Sequence, residues 1–180
     1  MKSLLLMTLA SISAFTFAQS NAVSLNAKDL ALVSSKSNTM EAGMAVSSIN
    51  NGTVFATISY MHEYQEGYAL GVRGNLPLEF SKQSNTYAVQ GVGRFMFVND
   101  VNRMYLEANL TQGFFNDIRG TKPFWMIGGD YGYARMITRQ LSVGGRIGLD
   151  FATARLSRNE INRGASTLYN TIALEGSYFF

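Results

Sequence analysis

From Thr39 to Phe180 the chain alternates. Reading every second residue back from the end gives Phe180, Tyr178, Gly176, Leu174 and Ile172. The other side reads Phe179, Ser177, Glu175, Ala173 and Thr171. Successive side chains of a β-strand point to opposite faces, so a period of two predicts a strand with one apolar and one polar face.

The pattern recurs in the segments "TMEAGMAVSSI", "TVFATISYMH", "YALGVRGNL", "NTYAVQGVGRFMFV", "RMYLEANLTQGFF", "PFWMIGGDYGYARMI" and "QLSVGGRIGLDFATARL". With the closing segment that makes eight strands. The alternation is weakest in "PFWMIGGDYGYARMI", where Phe124 and Met126 fall on the side of Asp130. Most of these segments reach the about 9–11 residues that a tilted strand needs to cross a bilayer. Turn-rich stretches separate them, and both prolines are expected at strand boundaries, where a missing N–H costs least.

A soluble barrel or sandwich would alternate too, but its solvated face carries many Lys and Glu. Here the polar sides carry Gly, Ala, Ser, Thr and Asn with isolated charges, and only 15% of the chain is charged. That composition suits a narrow, filled interior. The apolar sides gather aromatic rings near their ends, as interfacial girdles do.

The first residues, "MKSLLLMTLASISAFTFAQS", read as a signal peptide over residues 1–18. Lys2 supplies the positive start, an apolar run follows, and small residues precede a cut after Ala18. Residues 19–38 read as a polar periplasmic segment, and residues 39–180 as the barrel. If the last strand ends at the periplasm, "YQEG", "NDVN" and "MITRQ" are short periplasmic turns. "PLEFSKQSN", "NDIRGTKP" and "SRNEINRGAST" are then longer extracellular loops, and "NNGT" is a tight outer hairpin.

These features together resemble the small outer-membrane β-barrels of the OmpA/OmpX type. The resemblance covers residues 39–180 and implies an all-β, eight-stranded, antiparallel, up-and-down transmembrane barrel in a bacterial outer membrane. It implies outer-membrane lipids, including lipopolysaccharide, as surroundings and a monomeric state. It also implies that Tyr178 and Phe180 form the signal read by the barrel-assembly machinery. Where that family's pattern has glycine, this chain has Glu175, with Gly176 next to it.

The inward parity collects Glu41, Arg73, Arg94, Glu107, Asp130, Arg146, Asp150 and Glu175 as a polar network in the lumen. Charges held away from bulk water must pair or change protonation. Arg94 neighbours Glu107 in strand order, and Arg146 lies between Asp130 and Glu175. Five acids against three bases predict that one or two of these carboxylates carry a proton. Eight strands leave room for little but side chains, which favours a structural plug over a gated pore.

The expected outer loops hold the basic residues Lys82, Arg119, Lys122, Arg158 and Arg163 against Glu79, Asp117 and Glu160. They suit contact with lipid phosphates or adhesion to a polyanion. A net charge of +3 without a Lys/Arg run gives no reason to expect nucleic acid.

With no cysteine there is no disulfide or thiolate metal site, and no metal or cofactor is expected. The glycines sit in strands and open no helix, so none forms a phosphate loop. In "SYMHE", Ser59 and Glu63 share a face while His62 lies on the other, so they make no catalytic triad. The sequence therefore points to a non-enzymatic barrel with a structural or surface-interaction role, in adhesion or envelope integrity. A narrow channel and a lipid A-modifying enzyme are the alternatives, with a soluble periplasmic carrier behind them.

Overall fold

The computed structural model describes residues 38–49, 52–65, 67–78, 85–99, 101–117, 120–153, 155–156, 161–162 and 167–180. The expected signal peptide and most of the expected periplasmic segment lie outside them. Ten strands run in chain order: β1 (Asn38–Ser47), β2 (Thr53–Gln65), β3 (Tyr68–Pro77), β4 (Asn85–Asn99), β5 (Asn102–Asp117), β6 (Gly120–Met136), β7 (Leu141–Ala152), β8 (Arg155–Leu156), β9 (Ile161–Asn162) and β10 (Thr167–Phe179). β8 and β9 form a two-residue ribbon in the connection between β7 and β10.

The other eight close into a barrel in the order β1-β10-β7-β6-β5-β4-β3-β2, every neighbouring pair antiparallel. The last strand pairs with the first from Thr39↔Phe179 to Ser47↔Thr171. The Phe180 amide then donates to the Asn38 carbonyl at 3.0 Å. Closure leaves neither strand with a free backbone edge along this seam.

The barrel has two unlike ends. The turn end carries both ends of the strand circuit and the short β2–β3, β4–β5 and β6–β7 connections. A bulge between Glu63 and Gln65 and a positive φ of 89° at Gly67 make the tight β2–β3 turn. The loop end carries the other four connections.

Three sequence expectations change here. Asn38 belongs to β1 and not to a preceding segment. "NDIRGTKP" is not a long loop, because β5 and β6 stay paired up to Asp117↔Gly120. Gly120, with φ of 112°, takes the backbone conformation that lets the hairpin close so tightly. Pro123 therefore lies inside β6, where pairing with β7 has already ended: that ladder stops at Met126↔Ala152. Pro is tolerated in a strand where one edge is unpaired.

The pleat is turned inside out relative to a soluble protein. Ile127 is 64% exposed and Val89 60%, while Arg73 is fully buried. Exposed apolar side chains such as Ile58, Leu70, Val72, Leu106, Leu110, Ile147 and Leu174 circle the barrel. Exposed rings flank this band, with Tyr60, Tyr64, Tyr68, Phe97, Tyr131, Tyr178 and Phe180 towards the turn end. Phe114, Trp125 and Phe151 lie towards the loop end.

Candidate functional site

The interior holds a belt to which every barrel strand gives one polar residue. They are Glu41 (β1), Ser59 (β2), Arg73 (β3), Arg94 (β4), Glu107 (β5), Asp130 (β6), Arg146 (β7) and Glu175 (β10), all buried. Glu41, Ser59 and Arg73 are successive cross-strand partners, as are Arg94, Glu107 and Asp130. Elsewhere the belt departs from the register. Arg73 pairs with Gln90, and Arg146 with Gly132 and Ala173. Strand tilt makes this necessary: residues at one height along the axis are offset in sequence from strand to strand.

The belt consists of two clusters and a bridge. In the first, Arg94 forks onto Glu41, Nη1 donating to Oε1 at 2.6 Å and Nη2 to Oε2 at 2.8 Å. Arg94 Nε donates to Glu107 Oε1 at 2.7 Å, and the Ser59 hydroxyl donates to Glu41 Oε2 at 2.9 Å. In the second, Arg146 donates through Nε to Glu175 Oε1 and through Nη1 to Asp130 Oδ2, each at 2.7 Å.

Arg73 joins the two. Its Nη2 donates to both Glu107 oxygens, at 3.1 and 3.0 Å. Asp130 Oδ2 lies 3.6 Å from Nη1, Glu41 Oε2 3.8 Å from Nη2 and Glu175 Oε1 4.0 Å from Nε. A guanidinium among four carboxylates recovers electrostatically what it lost in hydration, provided the geometry holds.

Asp150 stands apart. It is buried two inward positions beyond Arg146 towards the loop end and makes no ion pair among the described residues; Thr171 Oγ1 donates to its Oδ2 at 3.4 Å. Its layer is neutral and polar, with Gln90 Nε2 donating to Thr111 Oγ1 at 3.0 Å.

Glycines make room for these groups. Gly132 faces the Tyr105 ring, Gly113 the Phe124 ring, Gly148 Asp130 and Gly128 Asp150. Each glycine is the register partner of the residue it admits, and a Cβ there would collide with that side chain. Tyr105 in turn lies under Arg94, whose Cζ is 4.1 Å from the ring centroid.

Both ends of the lumen are apolar, and Phe124, Met126 and Phe179, which parity puts on the inward side, are part of them. Ile49, Phe115, Phe124, Met126, Ala152 and Tyr169 form a buried cluster at the loop end. At the turn end Phe179 packs on Met136 and Val101, with Arg103 Cζ 4.3 Å from its ring centroid. Between this cap and the belt is a cavity of about 20 Å³, bordered by Glu41, Arg94, Arg103, Tyr105 and Phe179. That is room for about one water molecule.

The outward side bears on the other candidates. His62 lies at the turn end, its Nδ1 2.9 Å from Asn38 Oδ1, while Ser59 is buried in the lumen against Glu41. No nucleophile–base pair forms between them. Among the described residues no group of three or more His, Cys, Asp or Glu side chains is placed to hold a metal ion. Tyr178 and Phe180 face outward at the turn end, their rings stacked 6.1 Å apart. Of the expected outer-loop cations, Lys122 sits in strand β6 and not in a loop, because the β5–β6 hairpin continues past it. Lys82, Arg119, Arg158 and Arg163 lie outside the described residues.

No protein-family model and no curated protein sequence matches the chain. Solved structures do. The chain is similar to Neisserial surface protein A at 12% identity and a TM-score of 0.58, over 79% of this chain and 96% of that one. It is similar to the N-terminal β-barrel domain of Pseudomonas aeruginosa OprF at 10% identity and 0.58, over 81% and 99%. It is similar also to the outer membrane protein OprG from Pseudomonas aeruginosa at 8% identity and 0.54, over 81% and 96%. The chain has the fold of small eight-stranded outer-membrane barrels.

Proposed function

We propose that this chain is an integral outer-membrane barrel that neither conducts nor catalyses, with a structural or surface-interaction role in the envelope. The observation that carries the reading is the inversion of the pleat. An apolar, ring-flanked band covers the outside, while ions fill an inside capped by Phe115 and Phe124 at one end and Phe179 at the other. Water would leave that band exposed, and a bilayer satisfies it.

The belt then replaces a pore. Each carboxylate of Glu41, Glu107, Asp130 and Glu175 accepts from an arginine, and these ties across the lumen support a closed layer. Similarity to a surface protein, Neisserial surface protein A, supports a role at the cell surface.

Two measurements test this reading. In cell fractionation the chain is expected in the outer membrane, with gel mobility that changes on heating. Recovery of folded protein in the soluble periplasmic fraction would overturn the membrane assignment. In planar bilayers the folded barrel is expected to give no steady unitary current, and a large, stable single-channel conductance would overturn the sealed lumen.

A further inference from the structure

We propose that Arg135 and the groove beside it hold one phospholipid, its phosphate on the guanidinium and an acyl chain in the groove. This rests on the membrane reading above and names a ligand for one patch of the lipid-facing wall.

Arg135 is on the outward side of β6 near the turn end, half-buried, between Asn102 of β5 and Val143 of β7. Among the described residues it is the one cation on the apolar face near this end. Its side chain makes no hydrogen bond or ion pair with any described residue, unlike the three belt arginines. A cation at the margin of an apolar band, without a protein partner, is matched by a lipid phosphate, and arginine binds phosphate through a planar fork.

The groove starts beside it. Val143 is one wall, and Leu141 follows, its carbonyl accepting from the Ile137 amide at 2.8 Å. The floor is the register pair Ala42↔Gly176, the far wall is Ile58, and Tyr178 stands at the interfacial end. The groove measures about 410 Å³, and its exposed lining is almost wholly apolar although Glu41, Ser142 and Ser177 border it from the lumen side. Its small floor residues set it back from the surrounding side chains, and one end opens near a positive charge. Headgroup and tail thus have separate complements at the spacing of one strand.

A second groove of about 540 Å³ on the opposite side of the barrel serves as an internal control. Its floor is the pair Gly93↔Ala108, between Leu70 and Leu106. No outward-facing cation borders it among the described residues. Depth alone would make both grooves retain lipid; charge complementarity selects the first.

The experiment is native mass spectrometry of full-length folded protein released from nanodiscs of phosphatidylethanolamine and phosphatidylglycerol. The wild type is expected to retain one phospholipid per barrel. Arg135→Gln is expected to lower the retained fraction by about fivefold, the worth of one cation–phosphate contact at a membrane surface. Gly176→Leu fills the groove and is expected to lower retention similarly. Its new Cβ would meet only Ala42 and Ser142 carbonyls at 3.9 Å, so the barrel tolerates it. Gly93→Leu fills the control groove and is expected to leave retention unchanged. Equal retention by wild type and Arg135→Gln overturns the proposal, as does a barrel that inserts normally yet keeps no lipid. Dimers in place of lipid adducts overturn it too. Failure to insert at all would instead count against the membrane reading.

Discussion

Tyr105 of β5 lays its ring across Gly132, its register partner on β6, in space that a Cβ would occupy. The same ring supports Arg94, which forks onto Glu41 across the lumen. An absent side chain thus holds up an ion pair. Gly132→Val is expected to push Tyr105 off its seat and destabilise the barrel by about 1–3 kcal/mol, the usual cost of overpacking. Tyr105→Leu in the Gly132→Val background should recover part of that loss. Urea unfolding from lipid vesicles, followed through Trp125, measures both. Additive losses in the double variant would show that the two positions are not coupled.

Among the described residues, Arg73 is the only guanidinium that reaches both halves of the belt. Arg73→Met removes the charge at similar length and leaves four carboxylates to share the two remaining guanidiniums, Arg94 and Arg146. The expected cost is about 3–5 kcal/mol, as for breaking a buried pair on one side only. A loss under about 1 kcal/mol, in the range of an exposed pair, would mean that the belt is hydrated.

Asp150 offers the contrast. It leans on a hydroxyl and no guanidinium among the described residues, so removing its charge orphans no cation. Asp150→Asn is expected to change stability by less than about 1 kcal/mol, the scale of one neutral hydrogen bond. Asp130→Asn, which weakens the hold on Arg146, is expected to cost clearly more. The same unfolding assay ranks them, and equal losses would contradict the separation of Asp150 from the belt.

Ile127 stands near mid-height on the outer wall. For a barrel in lipid, Ile127→Lys should cost about 2–4 kcal/mol, the penalty for a cation near the bilayer midplane. For a barrel in water the same change would be close to neutral and would raise solubility. Folding yield into vesicles separates the two outcomes.

Parity made much of this legible, for a physical reason. The period of a strand is two whatever its tilt, so a run such as Gly128, Asp130 and Gly132 has its face assigned before any partner is known. Closure of the seam was legible as well, since an aromatic, alternating last segment needs a partner strand. Which residues share a height was not. Register decides that, and the jump from Arg73 to Arg94 depends on an offset set by the tilt of the whole barrel.

Nothing in the sequence marks Ser59 as part of the charged network, because a lone serine on a small-residue face has no signal for it, yet it completes the belt on β2. Phe124 and Met126 spoiled the pattern of their strand; the spoiling itself was the trace of an apolar cap. In the sequence the β5–β6 hairpin resembles a loop because Asn116, Gly120 and Pro123 are turn formers. Here cross-strand pairing from Asn116↔Thr121 outward overrode local preference.

Pro123 has a consequence for crowding. A closed barrel is safe from sheet-to-sheet growth over most of its height, but among the described residues the β6–β7 ladder ends at Met126, with only the Thr153 amide reaching on to the Trp125 carbonyl at 3.3 Å. A stretch of backbone without a ladder on that side invites a strand from a neighbouring molecule. Pro123 brings a ring and no amide hydrogen to that stretch, so a hydrogen-bonded ladder from a neighbour would stall at it. A residue that looks like a flaw in the longest strand of the barrel is the one suited to keep adjacent copies from joining edge to edge.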